Sequence, residues 1–497
     1  MNISDYLLET GKDDNPAVIT NSGQYTYGGL RNAAACMVEE LQDKGISHGD
    51  RVGLLGANSF FWVAGYLGIL KLGAVAVPLA VSSKPGQIQA NREFAGCKVT
   101  LVQRNLYKKY EEALNDGLPL IFDDCLNTLR RQSWEDHPLE AGFDENQLAA
   151  LMFTSGTTQK SLAVRVTHHN IRANTDSIIE CLALSSQERI MVILPFSYCF
   201  GASLLHTHLR VGGSMVICNS FTYPETVLEM MQTHRCSGFA GVPSTYATLM
   251  RNSSLPRRRM EFLKKVQQAG GKLPVAQIQE LMHILPQAQI FVMYGATEAT
   301  ARLSYLPPAM LNEKIGSVGK GIPGVELKVL NEAGDPVCPG ELGEIVARGE
   351  NISAGYDNNP EATREKFVED AFYTGDLATV DEDGYIYIFD RKGDYIKSYG
   401  YRVSSQQVEA CILELGDVVM AAAIGEPDPV RGEAIVVFVS LRSGSQLTRE
   451  DILSHCRHKL TRHMVPKTIE IVERLPLSPQ GKVLKSDLRK RVAPVVS

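Results

Sequence analysis

Through the first three hundred residues, stretches with helical apolar periodicity alternate with short β-branched runs. That alternation limits the possible folds more than any single motif does. Helical spacing covers Tyr27–Lys44 and Phe60–Leu72, and strand-like runs follow at Arg51–Leu55 and Val75–Pro78. Further strand candidates lie at Lys98–Val102, Ile190–Leu194, Ser214–Cys218, Gly238–Val242 and Gln289–Met293, each near a helical stretch. Such βαβ grammar predicts a large parallel or mixed sheet covered by helices. From Gly316 the pattern becomes short strands with turn signals such as Ala333-Gly334-Asp335-Pro336, predicting an antiparallel β-subdomain over about 316–390. Beyond Asp390–Asp394 come a helix at Gln406–Glu414, strands at Val418–Ile424 and Ala434–Leu441, and a helix at Arg449–Leu460. The expected class is therefore α/β: an N-terminal body of helix-covered sheets with its β-subdomain over 1–390, and a small α+β C-terminal domain over 391–497.

Charge narrows the function classes. Lys and Arg number 50 against 56 Asp and Glu, a net charge of -6, which argues against a nucleic-acid binder with its required basic face. The charge is uneven: residues 451–497 hold ten basic and four acidic residues. Such a tail suits polyphosphate or an acidic carrier protein, and a solvated helix face explains it equally well. The ten cysteines form no CxxC pair, so they read as reduced thiols rather than zinc ligands or a disulfide scaffold. With no basic n-region or apolar h-region after Met1, the expected location is the cytoplasm. The run Trp62–Ala80 is apolar, but Lys71 and Pro78 interrupt it, predicting a buried helix and strand rather than a membrane span.

Two generic nucleotide patterns fail on inspection. Gly319–Gly324 fits GxGxxG, but Pro323 would break the helix that must open there. No GxxxxGK[ST] loop is present, since Gly156–Ser161 lacks the second glycine.

More informative is Phe153-Thr154-Ser155-Gly156-Thr157-Thr158, which follows the apolar run Leu148–Met152 and precedes Lys160. A strand feeding a loop of small hydroxyl residues offers N–H and O–H donors to phosphate oxygens. Downstream stand Tyr294-Gly295-Ala296-Thr297-Glu298, Tyr373-Thr374-Gly375-Asp376-Leu377, Arg391 and Gly481-Lys482. Taken together and in this order, these motifs resemble the AMP-forming adenylation superfamily, which includes acyl- and aryl-CoA synthetases, stand-alone amino-acid adenylation domains and luciferases. The resemblance extends over essentially the whole chain.

It implies ATP and Mg²⁺ as reactants and cofactor, a small carboxylic acid as substrate, and CoA or carrier-protein phosphopantetheine as acceptor. By matching position, Thr154, Ser155, Gly156, Thr157, Thr158 and Lys160 would hold the leaving phosphates, and Gly270, Gly271 and Gly295 would flank the nucleotide. Thr297 would bond the α-phosphate, Glu298 would help hold Mg²⁺, Tyr294 would stack on adenine, Asp376 would accept the ribose hydroxyls, and Arg391 would sit near ribose and phosphate. Lys482 would bridge the two reacting oxyanions, where a compensating cation is needed. The C-terminal domain would be mobile, with its hinge near 390–394. Departures from the family pattern are Gly393 in that hinge, and Gln159 and Leu162 in the phosphate loop, where a lysine is usual at Leu162. Either Lys160 or Arg165 supplies that charge from a shifted loop, or phosphate binding is weakened.

The same matching places Tyr198, Cys199, Phe239, Gln267, Ala269, Met293, Ala301 and Arg302 around the acyl group. Amino-acid activators usually carry an Asp where Cys199 stands, so a standard α-amino acid is disfavoured. Arg302 could meet a second carboxylate or polar substrate end, or form an ion pair behind the pocket. The rival readings are a stand-alone amino-acid activator, with proline as an example, a catalytically weakened nucleotide-binding homologue, and a fatty-acyl-AMP ligase serving carrier proteins.

Overall fold

The structure, a computed structural model, describes residues 1–127, 133–137, 142–154, 162–478 and 481–492. Two large sheets form the N-terminal body. One has six strands in the order Leu120–Phe122, Val99–Val102, Arg51–Leu55, Val75–Leu79, Leu148–Phe153, Ala163–Thr167, all parallel except the last pairing. The other has nine, with Pro16–Thr20, Ser214–Ile217, Arg189–Val192, Gly238–Gly241, Lys265–Gln268 and Gln289–Tyr294 running parallel as its centre.

The main core lies between these sheets. Val52, Leu54 and Ala76 of the first join Ile190, Val192 and Met215 of the second in one cluster, with the helices Phe60–Lys71 and Cys199–Arg210 embedded in it. Packed between the six-stranded sheet and the helices Ile3–Leu8 and Tyr27–Asp43, Phe60–Lys71 has no solvent face, which is why it is apolar all round. Ser59 starts it by accepting from the Trp62 N–H at 3.1 Å. Lys71 ends it buried, its ammonium 2.6 Å from Asp5 and 4.5 Å above the Trp134 ring. Among the described residues no helix is long and apolar enough to cross a membrane.

The β-subdomain is a five-stranded antiparallel sheet built from Val325–Leu330, Gly343–Gly349, Phe367–Val368, Ala371–Val380 and Ile386–Arg391. It begins later than the turn signals predict. Residues Lys320–Gly321 instead pair with Ser304–Leu306 as an edge of the nine-stranded sheet, so the GxGxxG match is a strand and turn. The C-terminal domain has its own sheet of five strands, from Ile396–Ser398 to Thr468–Ile471, and its own cores around Val437 and Phe438. Part of the tail's basic charge is structural: Lys485 pairs with Glu409 at 2.7 Å and Arg489 with Asp394 at 2.9 Å.

Candidate active site

Four neighbouring parallel strands end on one edge, and their loops carry most of the predicted residues. Arg189–Val192 leads to Tyr198 and Cys199, Gly238–Gly241 to Val242, Lys265–Gln268 to Ala269-Gly270-Gly271, and Gln289–Tyr294 to Gly295–Glu298. Gly295 is obligatory on steric grounds, since a Cβ there would lie 1.8 Å from the Ala301 carbonyl oxygen. Just after this turn Thr297 meets Cys199 of the neighbouring loop, its hydroxyl donating to the Cys199 sulfur at 3.5 Å.

Two carboxylates face this edge, each held by a tyrosine. The Tyr294 hydroxyl donates to Asp376 at 2.6 Å, and the Tyr356 hydroxyl donates to Glu298 at 2.7 Å. Burial pushes Asp376 above the usual carboxylate range, and Arg391, Tyr294 and Lys482 oppose that shift. Arg391 stands opposite Asp376 in the strand register, with Nε 3.9 Å from its carboxylate. Tyr294 itself is only 8% exposed and packs with Leu303, Val318 and Ile345, so the contact it makes is to Asp376 rather than through an open ring face. Tyr356 has no motif around it that a sequence reading could have caught.

Lys482 reaches this edge from the C-terminal domain. Ser244 donates to the Gly481 carbonyl at 2.8 Å, and a Cβ on Gly270 would lie 3.8 Å from the Lys482 Cε and 3.5 Å from the Tyr198 hydroxyl. Lys482 as a whole residue remains exposed. Protein crowding nonetheless removes enough hydration to lower its pKa, and Arg391 adds to the effect while Cys199, Asp376 and Glu298 oppose it. Asp390 ties the two domains at the predicted hinge, accepting from the Ser405 N–H at 2.8 Å and its hydroxyl at 2.9 Å. Three residues on, Gly393 has φ +92 with open space around it, a backbone conformation that suits glycine.

Thr154 closes the base of the phosphate loop, its N–H donating to the Leu162 carbonyl at 2.9 Å. Ser155, Gly156, Thr157, Thr158, Gln159 and Lys160 lie outside the described residues. Leu162 packs against the main core, and Arg165 reaches the Ala354 carbonyl at 3.5 Å.

On the acyl side, Cys199, Ala269, Met293 and Ala301 share one cluster, with Tyr198 packed against it. Burial pushes the Cys199 thiol up, so it is neutral and no counter-ion for an ammonium group. Phe239 requires a correction. It points to the opposite face of the nine-stranded sheet, packed edge-on to Tyr246 at 5.8 Å among Met191 and Val266. Side chains alternate along a strand, and the neighbour Ala240 takes the inner face, in register with Gln267 and, through it, Phe291. Ala240, not Phe239, shares the inner-face cluster with Cys199, Ala269 and Met293.

Two tyrosine-held carboxylates and the lysine of the C-terminal domain converge at this edge, an arrangement that suits an acid-activating ligase of the AMP-forming class. The chain belongs to the AMP-binding enzyme family: residues 9–357 match its model, and 407–482 match the AMP-binding enzyme C-terminal domain. It is similar to a feruloyl-CoA synthase from Amycolatopsis, 31% identical over 94% of both chains. Among solved structures it resembles the anthranilate CoA ligase AuaEII in complex with anthranoyl-AMP, at 25% identity, covering 99% and 97% of the two chains with a TM-score of 0.92. It also resembles the o-succinylbenzoate CoA synthetase of Bacillus subtilis in complex with ATP and magnesium ion, at 25% identity, 99% coverage of each and a TM-score of 0.85. The enzyme is an AMP-forming ligase that activates a carboxylic acid as acyl-AMP and passes the acyl group to a thiol.

Proposed function

We propose that this enzyme uses ATP and Mg²⁺ to convert an organic acid into its CoA thioester, and that residues 1–390 and 391–497 act as its two working domains. The observation that carries this reading is the Lys482 ammonium of one domain lying within electrostatic reach of Asp376 and Glu298 of the other.

In the first half-reaction the substrate carboxylate oxygen attacks the α-phosphorus, the bond to the bridging oxygen breaks, and pyrophosphate leaves. Two anions must meet, so the rate depends on positive charge placed where negative charge grows. Lys482 supplies it from the tail and orients both oxygens. Thr297 donates to the α-phosphate, Asp376 accepts the ribose hydroxyls, and Tyr294 keeps Asp376 aimed. Thr154 to Thr158 and Lys160 hold the departing phosphates. The donor set fits Mg²⁺, which favours one or two carboxylates plus phosphate oxygens over a protein cage. Glu298 provides the carboxylate, and among the described residues no cluster of three metal-ligating side chains exists. When bound, the ion neutralises phosphate charge.

In the second half-reaction a thiol attacks the acyl carbonyl, AMP departs, and the thiol proton is lost to solvent. Rotation about 390–394 withdraws Lys482 and admits the thiol. The CoA-ligase relatives favour CoA over a carrier protein as acceptor. The test is pyrophosphate exchange across an acid panel, followed by offering the best acid with CoA or with a phosphopantetheinylated carrier. Exchange with no acid would overturn the reading, and thioester formed only on the carrier would overturn the acceptor.

A further inference from the structure

We infer that Arg302 binds a second carboxylate on the acid, so that the preferred substrates are dicarboxylic acids. This rests on the acid-activating reading above and narrows it. Arg302 is 2% exposed. Its guanidinium carbon stands 5.2 Å from the Phe200 ring centroid, and Nη1 touches the Met293 sulfur. Nη2 is buried with no hydrogen-bond partner. The titratable groups that act on it are Cys181, Cys199 and Tyr198, none of them a carboxylate. Among the described residues the ion pair behind the pocket is therefore absent.

The residue is fixed in place rather than merely trapped. Asn174 accepts from its N–H at 3.3 Å and donates to its carbonyl at 3.0 Å, and Asn351 donates to the same carbonyl at 2.8 Å. Burial lowers its pKa to about 10, which leaves it charged at neutral pH. A buried cation without a counter-ion is unfavourable, and neutral thiols are weak acceptors. A planar guanidinium fork matches a carboxylate in shape and charge, so a diacid supplies the acceptor that the protein lacks. Thr297 and Lys482, which lie near Cys199, take the reacting carboxyl, and Arg302 takes the other end beside Met293 and Phe200.

The experiment is pyrophosphate exchange with aliphatic and aryl diacids, each paired with its half-methyl ester, in the wild type, Arg302→Gln and Arg302→Lys. For the best pair, the wild-type ratio of kcat/KM for diacid over half-ester should be about tenfold or more, the scale of one charge-assisted hydrogen bond. It should fall to about one in Arg302→Gln and lie between in Arg302→Lys. Wild-type preference for half-esters or monoacids, or a ratio that survives in Arg302→Gln, would overturn the assignment while leaving the ligase intact. Absence of exchange with every acid would overturn both. Should Arg302→Gln fail to fold, the wild-type ratio and Arg302→Lys decide.

Discussion

The Lys482 ammonium lies 5.9 Å from the centroid of the Tyr198 ring, although the two residues belong to different domains. Cys199, which accepts from Thr297, lies within electrostatic reach of the same lysine. On the proposed reading a charge in that place serves the first half-reaction and not the second.

Replacing Lys482 with alanine should therefore slow acyl-AMP formation by roughly 10²–10³-fold, the usual scale for loss of one transition-state charge contact. Transfer from preformed acyl-AMP to CoA should change much less. Pyrophosphate exchange and thioester formation from synthetic acyl-AMP, measured separately, check this; equal losses in both would refute the division of labour.

A pH dependence follows from the same lysine. Crowding favours its neutral form, so the ammonium is lost at lower pH than the ordinary lysine value of about 10.4. Adenylation should fall as pH rises, with a midpoint below that value. Arg in place of Lys482 should remove this alkaline limb, whatever its effect on the maximal rate. A profile whose alkaline limb is identical in Lys482→Arg would show that another group titrates.

Tyr294→Phe removes the 2.6 Å donor to Asp376. One hydrogen bond to a buried charged group contributes about 1.5–3 kcal/mol, so the KM for ATP should rise roughly ten- to a hundredfold. Burial already raises the Asp376 pKa, and losing a donor raises it further. If Asp376 accepts the ribose hydroxyls as proposed, nucleotide binding needs the ionised carboxylate and should weaken as pH falls through that pKa. The acid limb for ATP should then sit at higher pH in Tyr294→Phe; an unmoved limb with unchanged KM would reduce Tyr294 to core packing.

The two faces of the strand Gly238–Gly241 make opposite forecasts. Phe239→Ala should cost about 3–5 kcal/mol in stability, read as a lowered Tm, with acid selectivity preserved. Ala240→Leu adds bulk on the inner face and should shift selectivity toward smaller acids. Finding the selectivity change in Phe239→Ala alone would mean the faces are assigned wrongly.

At the hinge, Asp390 is 2% exposed and accepts from Ser405 and from the Arg391 N–H. Asp390→Ala leaves the buried Ser405 donors unpaired, at about 1–3 kcal/mol. The loss should appear in thermal unfolding of the full chain and as slower overall turnover. Unchanged stability and turnover would remove Asp390 from the hinge.

Much of this was legible in the residues. Periodicities of 3.6 and 2 are local, so Phe60–Lys71 and Arg51–Leu55 emerge within a residue or so of their expected limits. The site motifs are contiguous runs such as Tyr294–Glu298, which a reader can match without knowing what lies nearby. Where register matters the reading failed: Phe239 and Ala240 differ by one position, and a one-residue step in a strand exchanges the faces.

The chain on its own therefore determined the class of fold and the class of reaction, because those depend on local pattern and residue type. Tertiary structure alone decided that Tyr356 holds Glu298, that Lys482 meets Tyr198, and that Arg302 is buried without an acidic partner. Each of these is a matter of distance between segments far apart along the chain. Hydrogen bonding, ion pairing and desolvation act over a few ångströms of space, and no sequence separation encodes that proximity.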